Sequence, residues 1–519
     1  MKSKLGEVPS VRAAVRSALV LLPLLAVACG DDAKTSSAGT GSSSGAGGSG
    51  GAGAGSTGSA GGSAGTGGNA GTGGSAGSAG SGDRDAETGP QPQIIAISAT
   101  GHDRFYGVVH DASGNIFATG HVADSTASTA DYATVLVKLL PSGAKDASFG
   151  SGGVVTYNAA VGAGAELARG IVVQSTGKIV VSAIVEHVGG DPRDRDVAIM
   201  RFTQAGALDA TFGSGGVRIL DLSAGEVTVD GGTVDAGTTI VAESTWGLSG
   251  FPNDDLIVLG SRKADGRTDT DFAMVKLKAD GSTDTSFAVN GMFTLDINNA
   301  GASPRTATVL PDGSVVGSGY MNNGVQMPVI WKLTPAGALD TSFGVNGVFS
   351  QPVLAAATEA YGAALQGTSF VTAGYGRANT SESLDFVSIR LTAAGALDKT
   401  YGTDGVTRVD AAGFADNSRG LAVLPDNRVM LIGGGRATAN DVDGMVAVLT
   451  PDGQPDTSFG PQGFRLYDLG GASDFFWGLS VAPDKKSVAI AGIKTGTPGN
   501  DAGSAGNDDA ALLVLPLVP

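Results

Sequence analysis

The chain is poor in the residues most enzymes gather into a site. It has one cysteine and four histidines in 519 residues. A single thiol cannot build an internal disulfide framework. Three of the histidines, His102, His110 and His121, fall in one short stretch, and only His187 lies apart, so they cannot ring a central channel. His110 and His121 could meet only locally, on adjacent strands of one hairpin. Positive charge is scarce too: 33 basic residues face 50 acidic ones, a formal net charge of -17. Such a surface repels phosphates, which argues against nucleic-acid partners. No phosphate loop, HExxH helix or G-x-S-x-G elbow set between a strand and a helix is present. The acid-rich segment 265–271 lacks the spacing and final Glu of an EF-hand loop and reads as an exposed turn. No helical periodicity of useful length appears after Gln93.

The N-terminus is an address rather than structure. Lys2, Lys4, Arg12 and Arg16 precede an apolar run, residues 18–28 (ALVLLPLLAVA), too short for a stable membrane span and patterned as a secretory signal. Cys29 follows in L-A-V-A-C-G-D-D, which resembles the lipobox of bacterial lipoproteins. The resemblance implies that residues 1–28 are removed and that Cys29 carries acyl chains into a lipid bilayer. Gly30, rather than an acid, follows the cysteine, so the outer membrane is the expected location, on its periplasmic or surface side. Without residues 1–28 the chain's charge is about -20. Residues 34–82 are almost entirely Gly, Ser, Ala and Thr. They offer no apolar face to offset ordering entropy, so residues 29–92 are expected to be a lipid-anchored, disordered linker. Its low-complexity part spans roughly 40 Å r.m.s.. Such a tether is similar to those of myxobacterial lipoproteins.

From Gln93 to the C-terminus the chain repeats itself. The motif S/T-F/Y-G/A-x-x-G occurs six times, at Phe149, Phe212, Phe287, Phe343, Tyr401 and Phe459, in steps of 63, 75, 56, 58 and 58 residues. Three residues before each aromatic is an acid (Asp146, Asp209, Asp284, Asp340, Asp398, Asp456), and three before that a glycine (Gly143, Gly206, Gly281, Gly337, Gly395, Gly453). The glycines suit φ > 0 in a hairpin turn, the acids can accept turn amides, and the aromatics can pack between neighbouring units. Around each motif lie four short β-rich runs separated by turns such as Pro311-Asp312-Gly313. This predicts an all-β fold, a seven-bladed β-propeller with four antiparallel strands per blade over residues 93–519. Seven runs open on an aromatic or arginine followed by a small residue: Tyr106, Arg169, Trp246, Arg305, Tyr361, Arg419 and Trp477. The last unit stops before any motif, and the first has a spare leading strand, Ile94 to Ile97. The N-terminal strand should therefore complete the last blade and close the ring. An open solenoid is the alternative.

These units resemble the delta-60 repeat family of domain-of-unknown-function β-propellers. The resemblance rests on R-G-L-A-V-L-P-D-N from Arg419, L-T-P-D-G-Q-P-D-T-S-F-G from Leu449, and their counterparts. A looser similarity runs to NHL-type propellers. The family implies a fold and no activity.

One further set of acids stands out. Asp103, Glu166, Glu243, Glu359, Asp416 and Asp474 precede six of the seven openings, and Asp131, Asp196, Asp271, Asp385, Asp443 and Asp508 precede the fourth run of six of the seven units. In a propeller both connections fall on one face. Either these acids cap turns, or they form an acidic face that attracts cations or a basic partner, with calcium as the candidate ion. The fourth unit lacks both acids, having Ala302 and Met327 near those places. The 75-residue step carries an insertion around residues 223–239 in the same class of connection, where specificity or a tolerated loop would sit. No cofactor and no catalytic set is identified. Three functions remain open: an envelope-anchored, non-catalytic scaffold that binds a protein, glycan or small ligand; a propeller hydrolase or lyase with a channel site; and a structural surface protein that associates with copies of itself.

Overall fold

The structure, a computed structural model, describes residues 90–517 except 127–129, 160–165, 187–194, 224–228, 231–232, 235–242, 264–266, 268, 440, 472 and 496–506. Cys29, His187, the Gly/Ser/Ala linker and most of the long insertion lie outside the described residues. Every regular element among the described residues is a strand.

The strands form antiparallel sheets in chain order. Asp103–His110, Ile116–Ala123, Tyr132–Leu139 and Val154–Tyr157 make one four-stranded sheet. Strands between residues 167 and 220, 244 and 295, and 417 and 467 repeat the pattern. Two more such groups, Ala302–Val309 to Val348–Ser350 and Gly362–Gln366 to Val406–Val409, are joined into one continuous sheet by a single parallel bridge, Gln326 to Ala357. Middle strands are apolar on both faces, as in Ile179–Glu186, where seven of eight residues are buried. Each is covered by a sheet on either side.

The last sheet is completed from the other end of the chain. Gln93–Ile95 pairs antiparallel with Asp509–Pro516, with Gln93 opposite Leu512 and Ile95 opposite Ala510. The strand ends two residues earlier than the apolar run suggests. The amides of Ile97 and Ser98 turn away to the Asp103 carboxylate, at 2.6 and 2.9 Å. Ile95 joins a core with Phe105, Val135, Ala491 and Leu512, so the first and last sheets share one apolar cluster. The other clusters likewise draw on two neighbouring sheets each. First strands touch in chain order, and Phe475–Val481 touches Asp103–His110.

The aromatic motif locks successive units. Phe149, Phe212, Phe287, Phe343 and Tyr401 are at most 1 % exposed, and each ring lies against the turn glycine of the following unit. A Cβ on Gly281 would stand 2.8 Å from the Phe212 ring, and one on Gly453 would stand 2.6 Å from Tyr401. Backbone bonds run beside them: Gly150 N donates to Ala205 O, Gly213 N to Asp280 O and Gly402 N to Asp452 O, at 2.8–2.9 Å. The sixth ring has no following motif turn. Phe459 is half-buried, and its own unit's Arg465 guanidinium lies 4.8 Å from the ring centroid.

Candidate functional site

At the axis, every first strand places one large side chain. Six of these strands carry a register shift, at 105/107, 168/170, 245/247, 304/306, 418/420 and 476/478. The extra residue in each is Tyr106, Arg169, Trp246, Arg305, Arg419 or Trp477. A bulge takes a residue out of the in–out alternation and re-aims its side chain. In the remaining unit the strand is interrupted between Thr358 and Gly362, and Tyr361 takes the same place. The small residue that follows lets neighbouring first strands approach. A Cβ on Gly107 would be 2.5 Å from Arg169 O, and one on Gly478 would be 2.5 Å from Tyr106 O.

The seven side chains form a collar in which arginines sit between aromatic rings. The Arg169 guanidinium lies 3.2 Å from the Trp246 centroid and 5.2 Å from Tyr106. Arg305 lies 4.8 Å from Trp246 and 4.3 Å from Tyr361, and Arg419 lies 4.3 Å from Tyr361 and 5.0 Å from Trp477. Trp246 and Trp477 stack at 6.0 Å. Arg305 Nη2 donates to the hydroxyls of Tyr320 and Tyr361, both at 2.9 Å. Rings with negative faces hold the guanidinium charges in the interior. The space left between them is about 70 Å³, room for a water or two and not for a substrate. The seven positions were visible as strand openings. Their common aim at the axis was not, because a bulge leaves no mark in an apolar–polar alternation. The signal that could have found them is the near-alternation of aromatic and arginine at one repeat position.

The motif acids do not converge. Each is held within its own unit by a hydroxyl two residues on and by a base. Asp146 binds Ser148 and Lys138, Asp284 binds Ser286 and Lys276, and Asp398 binds Thr400 and Arg390. The carboxyls of Asp146 and Asp284 are drawn down to about 2, first by the serine hydroxyls and then by the lysines.

The twelve acids of the expected acidic face are interior groups. All are buried except Asp131, which is half-buried. They do not form a charged surface for a basic partner, because burial of a carboxylate requires internal donors. Several cap turns as the turn reading requires. Asp416 accepts the amides of Ala411 and Arg436, and Asp474 those of Leu469, Gly471 and Thr495. Others take cations or amides: Arg104 reaches Asp508 at 2.6 Å, Arg408 reaches Asp385 at 2.5 Å, and Asn158 donates to Asp131 at 2.8 Å. Glu359 accepts from Gln326 at 2.5 Å. Glu166 and Asp443 are buried beside the same connections. Arg267 clamps Asp269, Asp271 and Asp296, so that segment is an ion-paired hub rather than a free exposed turn. Burial pushes Asp103 up to about 6, Asp416 and Asp474 to about 7, and Glu243 to about 8.

The histidine pair does not form. The register sets His121 opposite Arg104 and His110 opposite Ile116, six residues apart along one strand or about 20 Å. His110 Nδ1 bonds Ser480 Oγ at 3.0 Å. His121 lies between Tyr106 and Tyr132, and burial holds it neutral.

Three segments of the sequence, residues 174–212, 252–287 and 310–343, match a family model described as "Domain of unknown function (DUF5122) beta-propeller". The chain carries a β-propeller domain of unknown function. No curated protein matches it in sequence. Among solved structures, the propeller is similar to a protein of unknown function from Dyadobacter fermentans, at 12 % identity and a TM-score of 0.45 over 83 % of this chain and 99 % of that one. It is also similar to an ulvan lyase of polysaccharide lyase family PL25, at 10 % identity and a TM-score of 0.43 over 81 % and 96 %. A third is the β-propeller domain of the Trilobed protease from Pyrococcus furiosus, at 7 % identity and a TM-score of 0.39 over 79 % and 94 %.

Two larger hollows among the described residues lie away from the axis. One of about 540 Å³ lies beside Phe459, Leu424, Arg465 and Leu517. Another of about 760 Å³ is lined by Leu295, Ile297, Leu339, Val345 and Phe349. Val345 there is 79 % exposed.

Proposed function

We propose that the chain is a lipid-anchored, seven-bladed β-propeller of the bacterial outer membrane that binds a ligand or protein and does not catalyse a reaction. The observation that carries this reading is the collar. Propeller enzymes need an open axial mouth with polar residues that differ from blade to blade. Here the axis is filled by one large residue per first strand at an equivalent position, and the remaining space admits no substrate. The filled collar favours this reading over an axial hydrolase or lyase. Seven first strands in cyclic contact, with Gln93–Ile95 completing the last sheet, support the blade count. The hollows beside Phe459 and Val345 supply concave, partly apolar surface of the size that ligand sites use.

Anchoring rests on the lipobox-like Cys29 and the tether after it. Fatty-acid labelling and envelope fractionation test it: the native chain takes label and sediments with outer membrane, and Cys29→Ser does neither. Label retained by Cys29→Ser would sink the anchor. A photo-crosslinker placed at Val345 in living cells tests the binding reading. Adducts to an envelope component support it, and adducts only to further copies of this chain turn the reading to self-association.

A further inference from the structure

The collar spaces its charges around the axis. Its three arginines, Arg169, Arg305 and Arg419, come from alternate units, the second, fourth and sixth, and aromatic residues fill the same place in the others. Arg169 and Arg305 share the Trp246 ring, and Arg305 and Arg419 share the Tyr361 ring. All three arginines line the axial space of about 70 Å³, as do Thr306, Tyr361 and Trp477. Among the described residues, no carboxylate lines it.

Two donors on these lining residues have no acceptor. Arg305 is 5 % exposed. Its Nη1 donates to Pro304 O at 3.1 Å and its Nη2 to the Tyr320 and Tyr361 hydroxyls, but its Nε has no acceptor. Trp477 Nε1 is a buried atom and has none either. The Tyr361 hydroxyl already accepts from Arg305, so its own proton is left to donate. Glu359 is the carboxylate whose charge acts on Arg305, and it accepts from Gln326 outside the axial space. A buried donor without an acceptor bears the full cost of its lost hydration. A water is a poor answer to such a lining, because it must also donate two protons of its own. Donors and cations without a carboxylate suit a group that only accepts.

We propose that the axial space binds one small monovalent anion, chloride. Such an ion accepts from every donor around it and donates to none, and hydrogen bonds between ionised partners are the strong kind. It also offsets the repulsion among three guanidinium charges crowded onto two rings, a repulsion that grows in a low-dielectric interior. A monatomic ion little larger than a water fits the space, whereas phosphate esters and sugar acids do not. The ion draws on the second, fourth and sixth units through their arginines and on the last through Trp477. It therefore ties the ring together at its centre, where the sheets otherwise pack neighbour to neighbour. The site is independent of the lipid anchor and of the hollows beside Phe459 and Val345.

Bromide, close in size to chloride and a quencher of indole emission on contact, tests the proposal. The full chain in detergent is exchanged into gluconate buffer, and bromide then replaces gluconate at a constant ionic strength of about 0.5 M, where surface charges are screened. Emission from Trp246 and Trp477 should fall along a saturating curve, and added chloride should restore it. The melting temperature should rise along the same curve with either halide. Trp477→Phe removes one donor and no charge. It should weaken halide binding about tenfold or more, the worth of one hydrogen bond to a charged group, read from the halide dependence of its melting temperature. Quenching that grows linearly with bromide and is indifferent to chloride is collision alone and overturns the proposal. So does a melting temperature that neither halide moves. Both readings come from the native chain and stand even where Trp477→Phe does not fold. Equal halide affinity in the native and Trp477→Phe chains places the ion elsewhere and overturns the proposal too.

Discussion

Among the described residues the last unit shows no copy of the motif, which should leave two measurable ends. One is Phe459, an aromatic with no following turn glycine. The other is Gly143, a turn glycine with no preceding aromatic. At an internal lock, Phe343 is fully buried and meets Phe370 edge-on at 5.7 Å. A Cβ on Gly395 would stand 2.5 Å from Gly344 N and 2.9 Å from the Phe343 ring. Phe343→Ala should therefore cost about 3–5 kcal/mol, the range for a ring removed from a close-packed core. Phe459 is only half-buried, so Phe459→Ala should cost roughly half as much, about 2 kcal/mol. Both glycines have positive φ, 73° and 84°. Gly143→Ala meets nothing closer than 3.8 Å and should cost only the left-handed backbone penalty of about 1–2 kcal/mol. Gly395→Ala adds a clash with backbone and ring, and should cost clearly more. Urea midpoints of the four variants, compared on the full chain under one condition, decide the matter. Equal losses at Phe343 and Phe459, or at Gly395 and Gly143, would refute the account of the motif as a lock between successive units.

Three further outcomes follow from other parts of the propeller. Removing one cation from the collar with Arg169→Ala should lower stability by about 2 kcal/mol and shift tryptophan emission to the red, because Trp246 loses the guanidinium on its face; unchanged emission would contradict the collar. Ile95→Asp should lower the melting temperature and promote aggregation, since it buries a charge in the core shared by first and last sheets and releases a sheet edge; wild-type behaviour would argue against closure by this strand. In chelator, the melting temperature should rise as pH falls from about 8 to 6.5. Glu243, Asp416 and Asp474 have folded pKa values of about 8, 7 and 7 against ordinary values of 4.5 and 3.8, so the folded state holds protons that the unfolded chain has released, and stability is lost as pH rises. Below 6.5 His110 and His121, held neutral by burial, oppose the trend; a flat or falling melting temperature between 8 and 6.5 would contradict these shifts.

Much of the fold was legible because the chain states it repeatedly. Turn residues such as Gly281 and Asp312 announce hairpins, and the two incomplete end units point to a strand at Ile94 to Ile97 that completes the last sheet, which Gln93–Ile95 does. What alternation could not reveal was direction. The bulges that turn Tyr106 or Arg419 toward the axis leave the apolar pattern intact, so the collar read only as a set of strand openings. Burial of the second acid set was hidden for a related reason. A carboxylate beside a connection reads as exposed until the tertiary structure brings its donor, and Arg104 lies 404 residues from the Asp508 that it satisfies. The histidine pair failed because residues on the two strands of a hairpin can stand at opposite ends of it.

A repeat also sorts its own residues. A side chain that recurs at one place in every unit is explained by what every unit needs: a lock, a cap or a collar position. This accounts for the motif aromatics, for Asp146 and its counterparts, and for the arginines and rings at the axis. Individual function must then sit where a unit departs from the rule. The departures are few among the described residues. Phe459 lacks its turn and borders a hollow. The fourth unit has Ala302 and Met327 where its neighbours have acids. The step of 75 residues carries the one long insertion. Of these, Phe459 leaves partly apolar surface beside a hollow of about 540 Å³, so its unit, rather than the six-fold motif, is where this propeller differs from a generic ring of sheets.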